Sequence, residues 1–295
     1  MDKIISCTLC PRNCRAQRDE NFGKGYCRAG FLPKIARAAP HFWEEPCISG
    51  TKGSGTIFFS HCVLSCVFCQ NYKISAEGVG KVITPSELAE HMKRLEDMGV
   101  HNINLVSPTP YIDSIIEAFE IYRPSVPVVY NTGGYEKVGT LKRLEGIVDI
   151  YLPDLKYISP ELSARYSKAP DYFQYAAYAI KEMVRQTGEP VFDNDGIMKK
   201  GTIVRHLILP HNTRNSVSVL RWLDENLGDK ILLSLMGQYI PVACAPDYPE
   251  INRRITKREY DKVLSFLDET GLDGFAQQLE AASEEYIPDF DPEKL

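Results

Sequence analysis

The chain has 295 residues and a formal net charge of −5, with 44% hydrophobic and 25% charged residues, the balance of a folded globular protein with ample core. This charge points neither to nucleic acid nor to an anionic membrane as a partner. No apolar run nears the ~18 residues of a membrane span, and no signal-like stretch follows Asp2 and Lys3. A cytoplasmic location is therefore expected, where the nine cysteines stay reduced and metal or catalytic roles outrank disulfides.

Residues 1–50 form a Cys-rich segment, rich in Lys and Arg up to Arg37 and short of regular periodicity. Its pattern Cys7-x2-Cys10-Pro11-x2-Cys14-x12-Cys27 offers four thiols. Such a set suits structural zinc and suits an auxiliary [4Fe–4S] cluster equally. Free or redox-switching thiols are the bland alternative. Cys47 stands near the later cysteine loop in sequence and is a candidate replacement ligand, whereas the solitary Cys244 reads as a small buried residue.

Residues 51–245 alternate short apolar runs with amphipathic stretches. The runs are Ile57–Phe59, Ile103–Val106, Val126–Tyr130, Ile147–Leu152, Ile203–Leu209 and Ile231–Leu235. Near-continuous Val/Ile/Leu is expected of parallel strands buried on both faces. Between them, Thr84-Pro85-Ser86-Glu87 is a capping box that opens a helix ending at Gly99. Thr109-Pro110 starts a second helix, and others fit Lys137–Glu145, Tyr172–Thr187 and Asn215–Leu227. Val191-Phe192 and Ile197 flank Asp193-Asn194-Asp195-Gly196, a hairpin turn. Repeated β-α units predict an α/β fold with right-handed crossovers, here a partial (β/α)6 barrel rather than an eight-fold one. Residues 246–295 read as a C-terminal helical extension: Thr256-Lys257-Arg258-Glu259 is another capping box, and the stretch after Asp268 is acidic, most simply solvated surface.

The chemistry centres on His61–Tyr72, where Cys62, Cys66 and Cys69 are spaced C-x3-C-x2-C just past the first strand. In parallel α/β folds the carboxyl ends of strands carry the site. Three close thiolates favour zinc or iron–sulfur. A [4Fe–4S] cubane held by three cysteines keeps one iron open, as a catalytic metal requires; three structural thiols, or zinc with a distant fourth ligand, are the alternatives.

C-x3-C-x2-C with Phe68 before the last cysteine resembles the signature of the radical SAM enzymes. The likeness is closest to the pyruvate formate-lyase-activating-enzyme-like branch, through its uncharacterised iron–sulfur members. It extends over Glu44-Glu45-Pro46-Cys47, Gly53–Phe59, Tyr130–Tyr135, Tyr151–Tyr157 and Arg205–Pro210. Activating enzymes with extra clusters carry their added cysteines after the cluster loop; this chain has them before the barrel. The resemblance implies a cluster on Cys62, Cys66 and Cys69 whose open iron binds S-adenosylmethionine (SAM). One electron, from a flavodoxin- or ferredoxin-type reductant, cleaves the S–C5′ bond. The resulting 5′-deoxyadenosyl radical takes hydrogen from a substrate, with small molecules and peptide or protein segments both open.

The resemblance places Phe68 near the adenine. It also places Ser107 and Thr109 where the family has a turn that contacts the SAM amino group; lacking a Glu there, they act through hydroxyl or backbone. Asn131 and Thr132, followed by Gly133-Gly134, supply short polar groups at the third strand end, unless the stretch is a plain turn. Asp154 and Lys156 are two apart, so both point the same way along the strand and form a charge pair suited to SAM, or else a structural ion pair. Arg205 and His206 face opposite ways; Arg205 is the cofactor or substrate candidate by resemblance and His206 a core histidine. Met236-Gly237-Gln238-Tyr239 suits substrate contact or packing. A different class of reading is a zinc-binding module that docks a protein or RNA through its basic amino-terminal section, without radical chemistry.

Overall fold

Strands with an apolar residue at every position need cover on both faces, and the chain supplies it. The computed structural model describes residues 5–277 and 288–291. Nine strands follow one path: β1 (Lys34–His41), β2 (Ser54–Phe59), β3 (Lys81–Val82), β4 (Ile103–Val106), β5 (Val128–Thr132), β6 (Ile150–Pro153), β7 (Met198–Leu207), β8 (Leu232–Met236) and β9 (Gly274–Ala276). The order is β9-β8-β7-β6-β5-β4-β2-β1-β3. From β2 to β9 all neighbours on this path are parallel. β1 runs antiparallel to β2, and β3 antiparallel to β1. The path ends at β9 and β3 without closing, which makes an open, partial barrel. All of the predicted strands occur, with ends shifted by up to five residues.

The covering helices are α1 (Pro85–Asp97), α2 (Ile112–Ile121), α3 (Pro160–Ser167), α4 (Tyr172–Thr187), α5 (Thr213–Asn226) and α6 (Lys257–Leu267). Both predicted capping boxes form: Thr84 and Thr256 accept from the backbone of Glu87 and Glu259, whose carboxylates reach back. Leu88, Met92 and Leu95 of α1 are buried. The hairpin at Val191-Phe192 pairs antiparallel with β7. The helix expected over Lys137–Glu145 is only a turn, Val138–Leu141, followed by a 3-10 turn; Gly139 and Gly146 deny it a longer hydrogen-bonded run.

Side-chain alternation sorts each strand into an outer and a lumen face. Outward residues such as Ile57, Leu105, Tyr130 and Tyr151 join the core under the helices. Inward residues Val129, Ile150, Leu152, Ile203 and Leu232 meet Cys47, Ile48 and Met198 in an apolar cluster. Toward the carboxyl ends the lumen turns polar, at Asn104, Asn131, Asp154, Arg205 and Ser234.

Residues 1–50 are more ordered than their periodicity suggests. β1 lies in this segment and adds to the main sheet, and the one-turn helix Pro46–Ser49 plugs the lumen with Cys47 and Ile48. The run Lys-Ile-Ala-Arg-Ala-Ala has few large apolar residues, so only pairing with β2 makes it a strand. Cys47 is therefore core rather than a replacement ligand. Cys244 is exposed, contrary to expectation, because its N–H and not its side chain is used, donating to Val67 O. α3 and β9 were not foreseen. Of the acidic stretch after Asp268, residues 278–287 and 292–295 lie outside the described residues.

Candidate active site

The cysteine loop leaves the carboxyl end of β2 through strained backbone. His61 (φ 70°) and Ser65 (φ 58°) are left-handed, as is Ser107 (φ 59°) after β4. For non-glycine residues such conformations cost on the order of 1 kcal/mol or more each and persist only where surroundings impose them. The surroundings are explicit. His61 N–H donates to Ile74 O at 2.8 Å and Val67 N–H to Tyr166 O at 2.9 Å. From the amino-terminal segment, Arg12 Nε donates to Val63 O at 2.9 Å and Tyr26 OH to Leu64 O at 3.0 Å.

Cys62, Cys66 and Cys69 line one cavity of about 210 Å³ together with Phe68, Ser107, Asn131, Thr132, Asp154, Lys156 and Arg205. Each sulfur has a polar neighbour: Leu64 N–H donates to Cys62 Sγ at 3.4 Å, Ser167 Oγ–H to Cys66 Sγ at 3.0 Å, and Ser75 Oγ lies 3.3 Å from Cys69 Sγ. Burial pushes the Cys66 and Cys69 thiols up, Cys69 to about 12, and Cys66 adds to the rise at Cys69. An electrophilic metal would relieve both effects. Among the described residues no three His, Cys, Asp or Glu side chains converge as a single ion would require. A cubane places each thiolate on a different iron, so three thiols that line one cavity, each with a polar neighbour, fit a three-cysteine cluster.

The same cavity is lined by a chain of charges. Arg205 Nε donates to Asp154 Oδ1 at 2.8 Å, a second Arg205 nitrogen to Asn131 Oδ1 at 2.6 Å, and a third to Glu44 Oε2 at 3.4 Å. Lys156 Nζ closes on Asp154 Oδ2. Burial alone would raise Asp154, but Arg205 and Lys156 hold it below the usual carboxylate range. Burial would likewise lower Lys156, yet Asp154 and Cys66 keep it raised. Gly134 (φ 80°) brings its backbone against β6: a Cβ there would sit 2.1 Å from Asp154 O, so only glycine lets this turn support the Asp154 end.

Other sequence-predicted residues fall elsewhere. Thr109 does not line the cavity; its hydroxyl donates to the buried Glu136 Oε1 at 2.5 Å. Thr132 borders the cavity but gives its hydroxyl to the same oxygen at 2.5 Å. His206 is a satisfied core histidine, with Nδ1 at 2.7 Å from Leu155 O and Nε2 at 2.9 Å from Ser216 Oγ. Tyr239 packs edge-on against Phe68 at 5.9 Å. Among the amino-terminal cysteines, Cys7 and Cys10 are buried, Cys27 is half-buried and Cys14 exposed. Burial raises Cys10, to about 12, and Cys27, with neighbouring thiols adding; among the described residues no three of the four are placed to hold a single ion.

Sequence reasoning gave Glu44 and Glu45 no role, and it missed Ser75, Ser167 and Glu136. Two adjacent acids between Trp43 and Pro46 were a visible signal for the first pair. The hydroxyls on sulfur had none, because Ser167 lies 101 residues from Cys66.

Comparison with known proteins gives this geometry its kin. The radical SAM superfamily model matches residues 56–222. An uncharacterized protein of Methanocaldococcus jannaschii is 31% identical over 278 residues, covering 91% of this chain and 76% of that protein. The chain is similar in fold to Streptococcus suis SuiB bound to S-adenosylmethionine, with TM-score 0.51 and 15% identity over 76% of this chain, which spans only 50% of SuiB. Methylornithine synthase (PylB) is also similar, with TM-score 0.51 and 14% identity over 82% of this chain and 79% of that one. By the superfamily match over more than half its length, the chain belongs to the radical SAM superfamily.

Proposed function

We propose that Cys62, Cys66 and Cys69 ligate a [4Fe–4S] cluster and that the cavity they line binds S-adenosylmethionine at its open iron. The observation that carries this is the meeting of all three thiols with the polar ends of β4, β5, β6 and β7 in one cavity. SuiB, similar in fold, binds the same cofactor. Cluster and cofactor, given one electron by a flavodoxin- or ferredoxin-type reductant, would supply a 5′-deoxyadenosyl radical for hydrogen abstraction from a substrate, as in the activating-enzyme-like branch.

The chain's own residues bind and orient. Asp154, Lys156 and Arg205 present alternating charge to a zwitterionic, sulfonium-bearing ligand. Asn131 and the Ser107 turn offer short polar groups, and Phe68 offers an apolar face. Thr109 and Thr132 act at one remove, by fixing Glu136 beneath the β5 turn. Ser167 donates to Cys66 Sγ and Ser75 Oγ lies against Cys69 Sγ, where both would tune the potential of a cluster held there. Cys7, Cys10, Cys14 and Cys27 would close around a second metal centre, zinc or an auxiliary cluster, only on rearranging from their present spacing. The substrate is a small molecule or a peptide segment.

The test is anaerobic reconstitution followed by dithionite and SAM, with 5′-deoxyadenosine as the readout. Product from the wild type and at least a hundredfold less from Cys66→Ala is expected. Equal yields from both proteins overturn the proposal, and metal analysis of the same samples identifies the second centre.

A further inference from the structure

A second cavity, of about 350 Å³, adjoins the cysteine cavity and shares Gln70, Val106, Asn131, Arg205 and Met236 with it. Its floor carries Glu45, which is buried, and Glu44, which is nearly so. Glu44 is well served: Arg205 lies at 3.4 Å, Asn104 Nδ2 at 3.2 Å and Asn131 Nδ2 at 3.3 Å. Glu45 is not. It is 5% exposed, its Oε2 has no hydrogen-bond partner, and no ion pair reaches it among the described residues. Ser234 Oγ, fully buried on the wall of the same cavity, faces the Glu45 carboxyl and opposes its rise, but it makes no well-formed hydrogen bond among the described residues.

The buried charges do not balance. Glu44, Glu45 and Asp154 face only Arg205 and Lys156, and Lys156 is paired with Asp154. An unpaired buried carboxylate costs several kcal/mol unless something neutralises it. Burial pushes the Glu45 carboxyl up, with Arg205 opposing and Glu44 adding to the rise. The side walls and rim are aromatic: His41, Phe58 and Phe275, with Phe42 and Trp43 exposed at the mouth. Such faces attract cations and pack on alkyl stems. A metal ion is the poorer occupant, since no third acid, His or Cys joins these two in a metal-sized group among the described residues.

We propose that this chamber is the substrate site, and that it takes an organic cation, an amine or guanidinium on an apolar stem, with the charged nitrogen on Glu45 and Ser234. The assignment rests on the radical SAM reading of the neighbouring cavity and adds the substrate class to it. An anionic substrate would meet the Glu45 carboxylate unshielded, and a neutral one would leave it unpaired.

The test is calorimetric titration of the anaerobically reconstituted, SAM-loaded protein with n-butylammonium chloride, n-butanol and sodium butyrate. Saturable binding is expected of the ammonium alone, weakened at least tenfold in Glu45→Gln. A second arm compares N-acetyl-lysine amide with its ε-acetylated form: binding of only the charged form identifies a peptide-borne cation, and failure of both beside bound butylammonium identifies a free amine. Butanol binding as tightly as butylammonium, no saturable butylammonium binding, or an unchanged folded Glu45→Gln overturns the assignment. If Glu45→Gln does not fold, the contrast between charged and neutral ligands on the wild type decides. 5′-Deoxyadenosine formation by the wild type is measured in parallel. Its presence without cation binding rejects the substrate class alone, and its absence beside cation binding rejects the radical reading while the cation site stands.

Discussion

Glu136 shows how much one buried side chain can control. Its Oε1 collects hydroxyl donors from Thr109 and Thr132 at 2.5 Å each and from Tyr130 at 3.4 Å, while Oε2 has no partner. Burial outweighs these bonds and lifts the carboxyl from 4.5 to about 7. A raised carboxyl holds its proton more tightly folded than unfolded, so folding takes up a proton between these values, and stability falls as pH rises across that window. At about 1.4 kcal/mol per pH unit the loss is roughly 3 kcal/mol by pH 7. Denaturation midpoints measured from about pH 4.5 to 8 should show this decline in the wild type and a flatter profile in Glu136→Gln, which keeps the accepting oxygen. Parallel profiles for the two proteins would contradict it. Asp154, Lys156 and Arg205 line the cysteine cavity; the shared side of Asp154 and Lys156 was legible in the sequence because alternation is a local rule, whereas Arg205 was a candidate by resemblance. The sequence misassigned the Thr109 hydroxyl, because the competing acceptor is 27 residues away.

At the level of elements, the amino-terminal cysteine segment clasps the cluster loop. Arg12 donates to Val63 O, Leu64 O, Ser167 O and Lys168 O, and its guanidinium lies 3.9 Å over the Tyr26 ring. It thus ties the loop, the end of α3 and its own segment together. Hydrogen bonds from a charged donor are worth about 1.5–3 kcal/mol each, and partly buried carbonyls left bare cost comparably. Arg12→Ala should destabilise the protein by roughly 3 kcal/mol and speed amide exchange selectively over residues 62–69. Uniform exchange across the barrel, or none gained at the loop, would remove the clasp from the account. The loop and its cysteine spacing were legible in sequence. The clasp was not, since Arg12 and Val63 are 51 residues apart and nothing local distinguishes Arg12 from other basic residues of a solvated surface.

For the whole molecule, the first fifty residues are part of the barrel rather than an appendage. β1 covers the flank of β2, every residue of which is buried, and Cys47 with Ile48 fills the lumen. Thr140 Oγ1 further donates to Leu9 O at 2.7 Å. A chain of residues 51–295 should therefore expose an apolar strand edge and a hollow lumen, and accumulate as aggregate. Size-exclusion chromatography tests this: a monodisperse, cooperatively melting 51–295 would show that the segment is dispensable.

The sequence by itself determined the strand–helix alternation, the capping boxes, the parity of the lumen residues and the C-x3-C-x2-C loop at the end of the first barrel strand. Each of these is written in residues within a few positions of one another, where backbone sterics and side-chain period act. Only the tertiary structure decided that Glu44 and Glu45 enter the lumen, that Ser167 reaches the Cys66 sulfur and that Arg12 holds the loop. Those contacts join residues far apart in the chain, and their stability comes from burial and charge that exist only once the sheet has curled around them.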